Sequence, residues 1–314
     1  MDVAKKPRMV DMSVELPEED SRRMSHATPS TAAVDASWSA TTFEHRIRPR
    51  RSIEILRPRE LWQYRDLLLI LVMRDIKIRY KQSMLGISWA VIQPLTMMLV
   101  MTLFFGRLMD MEDYVGKVPY PIFVYAGLLP WTLFASGLTS VSNAMIANAG
   151  MIRKVYFPRL LLPLSAVGAP MVDYMIASVL LAMMMVYYQC HMSWELLALP
   201  LFVATTLIAV FGVGLLLASL SVSYRDVRQL VPFVVQVGML STPVIWPVTI
   251  VGERFRIFLP LNPMCGTIGA FRAVVLNQPV PWGDWAISAT VGVALLLAAL
   301  WHFSRFERGY ADVV

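Results

Sequence analysis

Charge is what this chain has least of. Only 16% of its 314 residues are Asp, Glu, Lys or Arg, while 57% are hydrophobic; soluble chains average about 25% charged residues. One soluble core cannot hide that apolar surplus, so the solvent it implies is a bilayer. Cysteine is nearly absent. Cys190 and Cys265 are the only two, which excludes a disulfide framework and any C-x-x-C motif. His26, His45, His191 and His302 are scattered, without the spacing of metal ligands. The chain has no G-x-x-x-x-G-K-[ST], no H-E-x-x-H and no G-x-S-x-G. It therefore carries no visible machinery for nucleotide, zinc-dependent or serine hydrolysis. The paired intramembrane acids of a proton-coupled carrier are missing as well. No catalytic residue, metal site or cofactor is expected on the chain, and it is not expected to be an enzyme.

Residues 1–50 lack an apolar run of signal-peptide length. They mix Glu18, Glu19 and Asp20 with Lys5, Lys6, Arg22 and Arg23 among Ser, Thr and Pro. This is the composition of a disordered tail.

What is there is a series of charge-free windows. A spanning helix needs about 20 apolar residues. Six spans are predicted, at 84–108, 119–147, 160–188, 196–222, 228–248 and 283–304. Pro130, within AGLLPW, is expected to break the second, and Asp173 interrupts the third. The segment 255–279 is apolar but short, with Pro260, Pro263 and Arg272 inside it. It reads as two short helices that enter and leave by one face and line a pathway, since irregular backbone at membrane depth needs shielding. An amphipathic surface helix is the plainer alternative. The fold class is thus all-α and integral to the membrane.

Lys and Arg set the orientation. With the N-terminus inside, one side collects Arg57, Arg59, Arg65, Arg74, Lys77, Arg79 and Lys81, then Arg153, Lys154 and Arg159, then Arg225, Arg228, Arg305 and Arg308. The other side holds Arg107, Lys117, Arg254, Arg256 and Arg272. Both termini are therefore expected in the cytoplasm. The net charge of +6 belongs to these loops, and no nucleic-acid partner is implied. Trp89, Trp194, Trp246, Trp282, Trp285 and Trp301 fall near span ends, as interfacial tryptophans do.

Three cytoplasmic segments stand out. In 58–81, Leu61, Tyr64, Leu68, Val72, Ile76 and Tyr80 recur at helical spacing with charges largely off that stripe. Its uncharged core, 67–73, is too short to span, so a helix along the membrane surface is expected. Five of the eight residues from Arg74 to Lys81 are charged, Arg74, Asp75 and Arg79 among them, and no further charge follows until Arg107. The turn between surface helix and first span is placed within 81–88, at Gly86, where the backbone is freest. In 150–159, Arg153, Lys154 and Arg159 flank Tyr156, Phe157 and Pro158; aromatics with an arginine rim suit a groove on a partner. A plain positive-inside loop is the alternative. The turn at Tyr224, Arg225 and Asp226 invites a local ion pair. Asp173, about 13 residues into its span, lies roughly 20 Å deep at 1.5 Å per residue. It must face protein or water, with an arginine, a tyrosine or a backbone group as its partner.

RDIKIRYKQSMLGISWAVIQPL, AGLLPWTLFASGL, RKVYFPRLLLPLSAV, SYRDVRQLVPFVVQ, STPVIWP, LNPMCGTIGAFRAVVL and RFERGYADVV follow one another in order. Together they resemble the permease subunit of type-2 ABC exporters, in the branch that exports O-antigen, capsule and teichoic-acid polymers. The resemblance covers about 57–314. It implies a homodimer in the inner membrane above two separate ATP-binding subunits, which hold the ATP and Mg. It also implies a lipid-linked glycan as substrate, threaded through a channel at the dimer interface. The family's interface helix matches 58–81, its coupling helix 150–159 and its far-side re-entrant helices 255–279.

A sugar polymer has apolar ring faces, so aromatics can line its channel; Tyr120, Phe123, Tyr125, Trp131, Phe233 and Trp246 are candidates. Ordinary helix packing is the competing role for all six. Two other functions stay open: the same architecture exporting a small lipid or drug, and a non-transporting membrane component of glycan assembly.

Overall fold

The computed structural model of the chain describes residues 58–306, apart from 82–85, 117, 192 and 225. The tail expected at 1–50 lies outside the described residues. Among those described, every regular element is helical.

A short helix, Pro58–Gln63, leads into α1, Arg65–Lys81. A 3₁₀ turn at Gly86–Ser88 then opens α2, Trp89–Met101, which runs on as a π-helix over Thr102–Leu108. Gly86 has φ +47°, a left-handed conformation that only glycine adopts freely. An α-helix does not pass through it. Next come α3, Tyr120–Ala147, and the broken pair Leu161–Ala166 and α4, Gly168–Tyr187. They are followed by α5, Leu199–Ser223, and α6, Val227–Ser241. Two short turns, Glu253–Arg256 and Leu259–Leu261, precede α7, Pro263–Val275, and the chain closes on α8, Trp282–Phe306.

Five helical stretches are long and apolar enough to cross a bilayer: Gly86–Leu108, Tyr120–Ala147, Leu161–Tyr187, Trp194–Val222 and Trp282–Arg305. The chain is an all-α membrane protein, with five such helices among the described residues, or six if the pair Glu253–Leu261 and Pro263–Val275, bent by 102°, counts as one. The fifth expected span, 228–248, is not a full helix. Its helix stops at Ser241 after 15 residues, roughly 22 Å at 1.5 Å per residue. Pro243 and Pro247 prevent it from continuing.

α3 is the centre of the molecule. Of its most apolar stretch 78% is buried, against 11% for the first span. It packs on α2, α4, α5, α6 and α7, while α5 also packs on α8. Pro130 does not break it: α3 runs unbroken through that residue. Neighbouring helices hold it on nearly all sides, and such packing lets a proline persist inside a membrane helix.

The expected surface helix is apolar on two sides. Leu71 is buried and Leu68, Val72 and Ile76 are half-buried, while Leu69, Ile70, Met73 and Ile78 stay exposed. The charges cluster at its two ends, Arg65 and Asp66 at one and Arg74 to Lys81 at the other. One face is covered by Leu161–Ala166 and α4. Gly168 allows the approach, because a Cβ there would come within 2.6 Å of Val72.

Two glycines make opposite predictions. A Cβ on Gly127 would overlap the Arg272 guanidinium and come within 2.7 Å of the Val244 carbonyl oxygen, whereas one on Gly150 would meet nothing within 4 Å. Gly127→Ala should destabilise the chain by about 1–3 kcal/mol, and Gly150→Ala by less than about 0.5 kcal/mol. Thermal unfolding of the detergent-purified variants measures both.

Candidate functional site

The described side chains that bear on function fall at the two ends of α3 and along its open face.

Asp173, on α4, meets the last turn of α1. Arg79 approaches its Oδ2 at 2.5 Å, and the Tyr80 hydroxyl donates to its Oδ1. Each carboxylate oxygen thus has its own donor, reached across 93 residues of sequence. Burial, and then the bond to Asp173, push the Tyr80 phenol above its ordinary range, so Tyr80 stays a donor. The helical stretch leading to Asp173 breaks at Val167, and the basic end of α1 reaches the carboxylate directly. Arg74 instead pairs with its neighbour Asp75 at 2.8 Å.

The loop after α3 carries the basic-aromatic segment. Its only helix is Ala149–Ile152, shorter than the expected 150–159. Arg153, Lys154 and Tyr156 are exposed, Pro158 and Arg159 half-buried. The two aromatics separate: Tyr156 is 79% exposed, while Phe157 is 5% exposed and packs in the core. A pair of adjacent side chains on an extended backbone points to opposite faces. Phe157 anchors the loop, and Tyr156 is the exposed aromatic of the pair. Tyr224, after α5, is also exposed. Asp226 stands at the N-cap of α6 without a side-chain cap bond, and Arg225 lies outside the described residues.

Four of the aromatics expected to line a channel are buried within this chain. Tyr120, Phe123, Tyr125 and Trp131 are buried in the core. Tyr120 and Tyr125 donate to the carbonyls of Ile245 and Ala177, both at 2.9 Å. Phe123 stacks beneath Arg272, and Trp131 packs over Gly238. Their apolar bulk is worth more between helices than against water. Phe233 is 60% exposed, and Trp246 is half-buried with its indole donating to Leu240.

Phe233 belongs to a mixed face. On α6, Gln229 and Gln236 are exposed beside it. On the neighbouring α3, the residues that escape burial include Thr132, Ser136, Thr139 and Asn143. They share one face at helical spacing. Each bonds a carbonyl of its own helix at 2.7–2.9 Å, so none demands a partner. Exposed glutamines are costly against lipid, so this face suits water or protein.

At the far end, α7 holds Arg272, which in the sequence marks only a charge inside an apolar segment. Arg272 is 5% exposed. Its Nη2 donates to the carbonyls of Pro243 and Val244 at 2.9 and 2.6 Å, and the guanidinium lies 3.8 Å from the Phe123 ring centre. Its lone position among apolar residues was the available signal. Gly127, the cavity that admits it, gave none.

The protein-family model described as ABC-2 type transporter matches residues 66–276. The chain belongs to the ABC-2 type transporter family. Among curated proteins, this ABC-2 chain is 30% identical over 260 residues to the O-antigen export system permease protein RfbA of Myxococcus xanthus, covering 82% of this chain and 98% of that protein. A Klebsiella pneumoniae protein of the same name is 29% identical over 79% of this chain and 95% of its own length. The polysialic acid transport protein KpsM of Escherichia coli is 21% identical over 66% of this chain and 80% of its own length. The match spans α1 to α7 of the ABC-2 chain, and so includes the Asp173 joint, the Tyr156 loop and Arg272.

Two comparisons test this geometry. Phe157→Ala should cost about 3–5 kcal/mol of stability, while Tyr156→Ala should leave the unfolding midpoint within error. A double-mutant cycle of Tyr80→Phe and Asp173→Asn should return a coupling of about 1–2 kcal/mol; additive effects would mean that the two side chains do not act together.

Proposed function

We propose that this chain is the permease subunit of an ATP-driven exporter that carries a lipid-linked polysaccharide across the inner membrane. Membership of the ABC-2 family, with permeases of O-antigen and polysialic acid export among the relatives, carries the reading. ATP and Mg would be held by a separate ATP-binding subunit, which supplies the hydrolysis this chain has no motif for. Two copies of the permease would pair, with the termini in the cytoplasm.

The geometry supports a division of labour. Tyr156, with Arg153 and Lys154, is the exposed contact for the ATP-binding partner. α1 is the lever that carries its motion, through Arg79 and Tyr80, into Asp173 and α4. The polar face of α3 and α6 is the channel wall. It is wet enough for hydroxyls, and Phe233 gives sugar rings an apolar surface on which to stack. If α6 crosses outward and α8 returns inward, the bent segment between them starts and ends on the outer side. That makes it a re-entrant gate.

A tagged full chain purified from its own membranes should bring down a P-loop ATP-binding polypeptide, and Tyr156→Ala should weaken that complex. A deletion strain should lose a surface polysaccharide. An intact glycan coat with altered drug tolerance would instead assign a small-molecule cargo.

A further inference from the structure

A cavity of about 300 Å³ opens beside Arg272. Its wall is drawn from Tyr114 before α3, from Pro247 after α6, and from Asp284 at the start of α8. α3 begins beside this cavity and ends at the Tyr156 loop 28 residues later, about 42 Å away at 1.5 Å per residue. The cavity is therefore at the end of the molecule opposite the basic cytoplasmic loops. Its volume sits at the foot of the range for ligand sites, about 300–1,000 Å³. It holds one small group, not a length of polymer.

Two guanidiniums reach this wall, the buried Arg272 and the exposed Arg256. Arg272 spends one nitrogen on its two carbonyl partners, and its buried Nε has none. A carbonyl offers only a partial charge, so the positive charge of Arg272 is not neutralised. Asp284 is the carboxylate on the wall. Among the described residues no ion pair joins it to either arginine. An unneutralised charge in a membrane-embedded element is expensive and marks a functional position by default. Guanidiniums from two elements on one cavity wall match one ligand chemistry best, an oxygen anion that takes a charge-assisted donor from each.

We propose that this cavity binds an oxyanion, phosphate or carboxylate, between Arg272 and Arg256. The exporter reading bears only on where the anion comes from: the phosphate of a lipid carrier or headgroup, or the carboxylate of an acidic sugar. The site itself is tested without ATP, partner or glycan, so its failure leaves that reading standing.

The full chain, purified in detergent, is titrated calorimetrically with inorganic phosphate, with glucuronate and with glucose as the neutral control. Saturable binding of phosphate or glucuronate, but not glucose, is expected, and Arg256→Gln should weaken it about tenfold. Binding of phosphate alone assigns a lipid or free phosphate, binding of glucuronate alone an acidic sugar. Arg272 also holds the fold, so Arg272→Lys is read beside the exposed Arg256→Gln, whose folding is independent of that clamp. No saturable anion binding, glucose binding equal to glucuronate, or anion binding unchanged in Arg256→Gln would each overturn the site.

Discussion

The architecture of the far end depends on the bond between Arg272 and the carbonyls of Pro243 and Val244. α6 stops at Ser241, and the prolines that stop it leave backbone acceptors free at a depth where lipid can satisfy none of them. Arg272 takes two of those acceptors from the next helix along. Its arrival requires Gly127 on α3 and the Phe123 ring beneath it. Hydrogen bonds on either side complete the fastening. Asn262 donates to Thr242, and Ser288 donates to the carbonyls of Pro260 and Asn262 while accepting from the Gly266 amide. The 102° bend is thus sewn to α3, α6 and α8 at once.

A second polar joint lies where α1 meets α4. There the polar contacts are made between side chains: Arg79 and Tyr80 on α1 close on Asp173. The exposed apolar flank of α1 remains for the bilayer or a neighbouring subunit. α1 is joined to α4 through that carboxylate, and α4 lies directly on α3. α3 in turn touches the fastened end. The central helix thus links the joint between α1 and α4 to the clamped bend.

Spans were legible because lipid tolerates so little charge. The charge-free windows and the helices agree to within a few residues for all but α6, whose early stop was written in STPVIWP. Gly86 was legible too, since glycine takes a positive φ at the least cost. What could not be read was set by packing. Tyr156 and Phe157 are adjacent and chemically alike, yet only the tertiary structure decides which one is buried. The same holds for Tyr120, Phe123, Tyr125 and Trp131, whose aromatic character suits a channel wall and a core equally well. Pro130 misled because the rule against helical proline assumes a helix without neighbours to support it. Asp173 announced that it needed a partner, but a contact across 93 residues leaves no local trace.

The central claim is that this chain conducts polysaccharide under power supplied by an ATP-binding partner. Reconstitution of both subunits in proteoliposomes, with lipid-linked glycan on the ATP-accessible side, tests it directly. The account predicts that glycan becomes protected on the far side only when ATP is hydrolysed, and that Tyr156→Ala abolishes protection while the separate ATPase remains active. Hydrolysis by the assembled complex with no glycan crossing, or crossing that needs no ATP, would contradict it.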